Sequence, residues 1–283
     1  MAAWSVVIPT NRLHPRLEAL VRDLLNSSQE PPEIWLVCDT CDASVRQGLD
    51  EIRSAHRPGW VHIVTLTANH GQHAAILAGL SLTRSPRVLT VDDDGKYPVE
   101  DVLRLMERAN GLPADRPWTV YGLIRHAGGV ERTKRVLLHA IKWCSNQRHP
   151  VPHEGSSLRA FPRPVVQHLT THRVAWPFID AQQLDIVDHF EFVPVSCVPT
   201  ERTGTTSYRP GEKMLVMARA IAAYTWLPEC AVAVGVVTLL VGTFSHSNWW
   251  LLLLVPILLI AWTAHRGRHR SMSSYELLIE SVE

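Results

Sequence analysis

Residues 87–98 read Arg-Val-Leu-Thr-Val-Asp-Asp-Asp-Gly-Lys-Tyr-Pro, an apolar stretch that runs straight into three adjacent carboxylates. Residues 87–91 predict a buried strand, because a short apolar run closed by turn-forming residues is the mark of a strand covered on both faces. Asp92, Asp93 and Asp94 then emerge at its carboxyl end, where open α/β sheets hold their ligands. On such a strand end positions i and i+2 share a side, so Asp92 and Asp94 turn one way and Asp93 the other. Hard oxygen ligands of this kind suit Mg2+ or Mn2+, which also bind diphosphates. Gly95 comes too early for a calcium-binding EF-hand loop, and no Glu closes one. The bland alternative is a solvated acidic turn.

The pattern around this stretch repeats. Residues 5–8, 33–37 and 61–66 read as strands, and residues 16–25, 44–54, 71–82 and 99–110 as helices between and after them. Strand alternating with helix predicts an α/β fold with a mostly parallel, doubly wound sheet. Asn69 and Gly71 interrupt the pattern just before a helix, in a turn able to present backbone N–H groups to a ligand. Residues 118–124 read as a further strand. The basic helical stretch through Arg132, Lys134, Arg135 and Lys142 is either a solvated face or a surface that meets anionic lipid. Residues 150–161 read as loop, 164–171 and 181–187 as helices and 190–197 as a strand. A polar segment, 202–209, and an amphipathic helix, 213–223, follow.

The chain has 283 residues, 46% hydrophobic and 19% charged, with a net charge of +1. That balance gives no support for nucleic acid as a partner. Charge nearly vanishes over two apolar runs, 222–244 and 248–264, separated by Ser245-His246-Ser247. Each is close to the roughly 20 residues that cross a bilayer core, so two membrane-spanning helices are expected; the alternative is a buried hairpin in a soluble domain. Trp226, Trp249, Trp250 and Trp262 fall at the ends of the runs, as an interfacial belt requires, and Glu229 is the misfit. Arg202, Arg209, Lys213 and Arg219 precede the hairpin and Arg266, Arg268 and Arg270 follow it, which places both flanks on the cytoplasmic side. The expected organisation is a cytoplasmic domain over 1–221, a multi-pass anchor in the inner (plasma) membrane over 222–264 and a cytoplasmic tail over 265–283. The first residues lack the basic and apolar regions of a secretory signal.

The 5 cysteines are an odd number without framework spacing, which suits free thiols in a reducing compartment. Cys38-Asp39-Thr40-Cys41 has CxxC form, and a redox pair is the alternative. A zinc site would need a second pair, which is missing.

Residues 5–10 (SVVIPT), 33–42 (EIWLVCDTCD), 69–80 (NHGQHAAILAGL), 92–98 (DDDGKYP) and 202–208 (RTGTTSY) together resemble, in this order, the GT-A glycosyltransferases of family 2. The likeness is strongest to the polyprenyl-phosphate branch, the dolichyl-phosphate mannose synthase and undecaprenyl-phosphate sugar transferase type. It implies a Rossmann-like nucleotide-sugar domain followed by the two-helix hairpin. It also implies inverting transfer of a sugar from a UDP- or GDP-linked donor to a polyprenyl phosphate, at the cytoplasmic face and in contact with membrane lipid. By resemblance, Pro9, Thr10 and Asp39 hold the nucleotide, with Asn69 and Gly71 beside it. Asp94 ligates the metal, and Asp92 ligates it or contacts the ribose or a water. Arg159 positions the acceptor, while Arg202, Ser207 and Tyr208 close over the diphosphate, with Arg202 charging the leaving group. Asp180 is the candidate base.

Three of these positions have plainer readings: Asp39 as a helix cap, Arg159 as a surface ion pair and Asp180 as an N-cap. Two other functions fit the same residues: a transferase acting on a sugar hydroxyl, and a catalytically silent membrane scaffold. A homo-oligomer is compatible with the sequence.

Overall fold

A computed structural model describes residues 2–26, 30–124, 156–171, 177–198 and 278–282. Strands β1 (Trp4–Thr10), β2 (Glu33–Cys38), β3 (Val61–Leu66), β4 (Arg87–Thr90), β5 (Trp118–Ile124), β6 (Arg159–Pro162), β7 (His189–Val195) and β8 (Ile279–Val282) form one 8-stranded sheet. Its order is β7-β5-β6-β4-β1-β2-β3-β8. β3, β2, β1 and β4 pair in parallel, as the alternating pattern predicts. Beyond β4 the sheet becomes mixed, with β6 antiparallel to both β4 and β5, and β5 parallel to β7.

Helices α1 (Leu17–Asn26), α2 (Ala43–Ser54), α3 (Gln72–Leu82), α4 (Val99–Asn110) and α5 (Arg163–Thr171) cover the sheet, and a short α6 (Ile179–Gln182) continues into a 3-10 turn, Gln183–Asp185. β1 lies at the centre and is buried throughout. Its alternation sends Val6 and Ile8 into a core shared with α1, α2 and α4, and Val7 into a second core under α3 and α5. On α4, Val102, Leu105, Met106 and Ala109 recur at helical spacing and form its inward stripe. α3 differs: every residue from Ala74 to Leu80 is buried, as an apolar helix requires when it lies between the sheet and another helix. Asp42 starts α2 by accepting the Val45 N–H at 2.9 Å.

Three features differ from the sequence reading. Residues 159–161, read as loop, belong to β6 (Arg159–Pro162); the strand is only four residues long and opens on Arg159, so it carries no readable apolar run. Residues 279–282 of the expected tail form β8, antiparallel to β3 at the edge of the sheet. Cys38 and Cys41, expected as thiols, are joined, since the turn after β2 brings their Cα atoms to 5.8 Å, within disulfide range. Cys197 is the free cysteine among the described residues. The two apolar runs, 222–244 and 248–264, lie outside the described residues, as does the basic stretch 132–142; no helix among the described residues is long and apolar enough to cross a membrane.

Candidate active site

The carboxyl ends of β1, β2 and β4 converge on the start of α3. Asp39, just past β2, is 6% exposed and donates its backbone N–H to the Thr10 carbonyl at 2.7 Å. Its carboxylate takes two backbone N–H groups, His70 on Oδ1 and Gly71 on Oδ2, each at 2.8 Å. Asn69 Oδ1 also accepts from Gly71 N, at 3.2 Å. Gly71 has φ 85°, a left-handed value that glycine adopts without strain, and it opens α3. Asp39, Asn69 and Gly71 are therefore brought together as one clamp. The N–H groups that the sequence offered to a ligand are spent on Asp39 instead. A carboxylate has about four acceptor positions, so Asp39 keeps capacity for a further donor. Pro9 pairs with Val37 inside the sheet, one residue before Thr10.

Across the rim, the acidic loop turns at Gly95, whose φ is 59° and whose added Cβ would lie 2.7 Å from Arg16 Cβ. Asp93 faces β1, where Thr10 Oγ1 donates to its Oδ2 at 2.6 Å. Asp92 and Asp94 face the other way, as the alternation predicts. Asp92 Oδ1 accepts from Gln72 Nε2 at 2.7 Å, and its Oδ2 takes both Lys96 Nζ and Ser157 Oγ. Asp94 Oδ2 lies 3.8 Å from the same Nζ, and its Oδ1 accepts the Lys96 backbone N–H at 3.2 Å.

Electrostatics separates the neighbouring acids. Burial pushes Asp92 up, but the Lys96 charge and the hydrogen bonds from Lys96 and Ser157 outweigh it and hold the group below the usual carboxylate range. Burial also pushes Asp93 up; the Thr10 hydrogen bond only partly offsets it, and the charges of Asp92 and Asp94 add to the rise. Lys96 is raised, since its carboxylate partners overcome the cost of burial.

Behind this rim lies a buried polar chain that the sequence did not reveal. Arg159 on β6 is 4% exposed and Asp180 on α6 1%, and they pair at 3.0 Å. Tyr121 OH donates to Asp180 Oδ1 at 2.9 Å and accepts from Gln183 Nε2, while Thr119 Oγ1 donates to Gln183 Oε1 at 2.8 Å. The Arg159 guanidinium sits 5.9 Å from the Tyr121 ring centroid. Burial, followed by the Asp180 charge, raises the Tyr121 phenol well above its ordinary value, so it stays a donor. Arg159 Nε is left without a partner among the described residues. Asp180 and Arg159, expected separately as base and acceptor contact, thus occupy each other. Arg202, Ser207 and Tyr208 lie outside the described residues.

Among the described residues no cluster of three or more His, Cys, Asp or Glu could hold a metal ion. Two carboxylates nevertheless converge on one ammonium, so the donor set and its direction suit a cation. Mg2+ or Mn2+ ligated by Asp92 and Asp94 would complete its shell from ligand oxygens and water.

The family model "Glycosyl transferase family 2" matches residues 5–163, which span β1 through β6 and carry the acidic loop. The chain belongs to this family. Among curated relatives, this family 2 glycosyltransferase is 27% identical over 229 residues to the undecaprenyl-phosphate 4-deoxy-4-formamido-L-arabinose transferase of Pseudomonas fluorescens (strain Pf0-1), covering 79% of this chain and 65% of that protein. To the transferase of the same name from Salmonella typhimurium (strain LT2) it is 30% identical over 166 residues, covering 57% and 49%. The family 2 chain thus spans about half to two thirds of the length of these relatives. Its fold is like that of glucosyl-3-phosphoglycerate synthase from Mycobacterium tuberculosis: the UDP complex gives a TM-score of 0.53 at 15% identity, covering 78% of each chain. The Mn2+ and UDP-glucose complex of that synthase gives 0.52 at 16% identity, covering 78% and 77%. These likenesses support a GT-A, Rossmann-like fold for the family 2 domain.

Proposed function

We propose that this chain transfers a sugar, with inversion, from a nucleotide diphosphate to a polyprenyl phosphate at the cytoplasmic face of the inner membrane. The observation that carries the reading is the convergence of Asp39 and the Asp92–Asp94 pair on the Gly71-led start of α3, at the carboxyl rim of a family 2 sheet. That rim is where a doubly wound sheet binds nucleotides. The names of the curated relatives support the acceptor class and the likeness to a UDP-binding synthase the donor class; UDP and GDP both remain candidates.

Asp39 holds the loop of Asn69 and Gly71 and offers its remaining lone pairs to the base or ribose, with Pro9 and Thr10 forming the adjoining wall. Asp94, whose Oδ2 is the freer oxygen among the contacts described, and Asp92 would hold Mg2+ or Mn2+, which when bound would neutralise charge on the diphosphate. The phosphate oxygen of the lipid attacks the anomeric carbon, and the bond from that carbon to the diphosphate oxygen breaks with its electron pair leaving on the nucleotide. A phosphate monoester with a second pKa near about 6 is already largely dianionic at cytoplasmic pH, so no base has to remove a proton. Asp180 is accordingly proposed as a positioning residue that neutralises and orients Arg159. Arg159 then supplies positive charge on the acceptor side through its field. Arg202 charges the leaving group, and Ser207 and Tyr208 close over it. The runs 222–244 and 248–264 are proposed as the membrane anchor that brings this rim to the lipid surface.

The test is a panel of UDP- and GDP-sugars offered to the full chain with undecaprenyl phosphate, with and without Mn2+. A lipid-linked sugar formed from one donor class is the expected result. Absence of glycosylated polyprenyl phosphate with every donor would overturn the proposal.

A further inference from the structure

We infer that Lys96 is a tethered counter-ion that occupies the cation position of the acidic loop, so that a divalent ion enters only by displacing it. The inference rests on the proposed metal role of Asp92 and Asp94 and extends it.

The Lys96 ammonium contacts Asp92 Oδ2 and lies 3.8 Å from Asp94 Oδ2, the two oxygens on which that metal role depends. Its backbone is pinned to the same loop, with the N–H on Asp94 Oδ1 at 3.2 Å. The remaining oxygen of Asp92 is held by Gln72 at 2.7 Å, and Ser157 adds a donor to Oδ2. In this arrangement Asp92 has its charge and its lone pairs satisfied by the protein alone. A divalent ion placed between the same carboxylates would sit within about 4 Å of the ammonium, a repulsion large even at a surface-like dielectric. The side chain of Lys96 is 22% exposed, so its flexible four-carbon stem has a way out of the position without the backbone moving.

Two consequences follow from charge balance. In the absence of nucleotide the displaced ammonium finds only water, and metal binding is weak. When a nucleoside diphosphate is present, its oxygens offer the ammonium a new anionic partner and the ion further ligands. Metal and diphosphate therefore bind with positive coupling, and by linkage each strengthens the other by the same factor. Lys96 carries that coupling.

Mn2+ binding to the full chain in detergent, followed by electron paramagnetic resonance of the free ion, tests this with and without UDP or GDP. Lys96→Gln is expected to bind Mn2+ alone at least about tenfold more tightly than the wild type and to gain less from the nucleotide. Lys96→Arg keeps the charge and is expected to stay at the wild-type affinity; Lys96→Met serves as a second neutral variant should Lys96→Gln fold poorly. Wild-type or weaker Mn2+ binding by the neutral variants, or tightening by Lys96→Arg to the same degree, overturns the inference. An Asp94→Ala control separates the two levels. If it loses Mn2+ while the neutral Lys96 variants do not tighten, the counter-ion role alone fails. If it binds Mn2+ as the wild type does, the metal role of the loop fails as well.

Discussion

Asp94 and Asp180 are both acids proposed for the site, yet their surroundings give them opposite tasks. Among the described residues, one oxygen of Asp94 is held only by a distant ammonium, so Asp94→Ala should leave the melting temperature near the wild type while reducing sugar transfer by roughly a hundredfold or more. Full transfer in that variant would remove the metal argument. Asp180 is sealed in with Arg159 and Tyr121, and its loss strands a buried guanidinium. Asp180→Ala should therefore cost about 3–5 kcal/mol in unfolding free energy without any substrate present, and adding Arg159→Met should recover much of it. An unchanged unfolding midpoint in Asp180→Ala would refute the structural role. Asp93 supplies the pH dependence. Its folded pKa is raised above the unfolded one, so in the window between them the folded state binds more protons and stability falls as pH rises. Asp93→Asn removes that penalty and should melt higher than the wild type near pH 7, with the difference fading below the usual carboxylate range. A gap that widened on acidification would show the sign to be wrong. Asp39, Asp92 and Asp94 were legible because each stands at a strand end in a short motif. Tyr121 and Gln183 were not, because their partners are 59 and 64 residues away and nothing local marks them.

Elements with a strong period were read to within about two residues at each end, and α4 at Val99–Asn110 and β3 at Val61–Leu66 coincide with their reading. What failed was short and depended on distant pairing. β6 exists because β4 and β5 leave a gap between them that four residues fill, with Thr90 facing Arg159 and Val88 facing Phe161. That gap is a property of the sheet, invisible in a stretch that begins with a charge and ends in proline. α3 shows the reverse case, in which composition alone predicts burial and the structure adds how close the approach is. A Cβ on Gly79 would stand 2.6 Å from Val7 Cγ1 and 2.7 Å from Val37 Cγ2, both on stiff β-branched side chains of β1 and β2. Gly79→Val must push α3 away from the sheet, and overpacking of this kind costs about 1–3 kcal/mol. Because α3 begins at the Gly71 clamp, the same variant should also weaken nucleotide binding, read as a higher Kd for UDP or GDP. A variant as stable as the wild type would mean that α3 is free to shift.

At the scale of the whole molecule, the sheet constrains the part of the chain that the fold does not describe. β1 and β8 belong to the same sheet, and the backbone leaves that sheet after β7 and re-enters it at β8. β8 is fixed there by pairing of Val64 with Val282 and Thr65 with Ser281, by Thr67 N donating to Leu278 O at 2.8 Å, and by Arg46 with Glu280 at 3.3 Å. A sheet is assembled on one side of a membrane, since its strands exchange backbone hydrogen bonds that no bilayer can separate. If the proposed anchor crosses the membrane, a sheet on one side of it predicts an even number of crossings between β7 and β8. The two spans proposed over 222–244 and 248–264 would meet that count, and the basic residues on both flanks are the sequence's own reason for proposing both flanks on the cytoplasmic side. The prediction is that reporters fused to either end of the full chain lie on one side of the membrane, the cytoplasmic side. Deleting residues 222–264 should also release the protein from membranes washed at alkaline pH. Reporters on opposite sides would show that β8 does not join the sheet in the membrane-bound protein. A deletion variant that stays in the membrane would move the anchor to some other part of the chain.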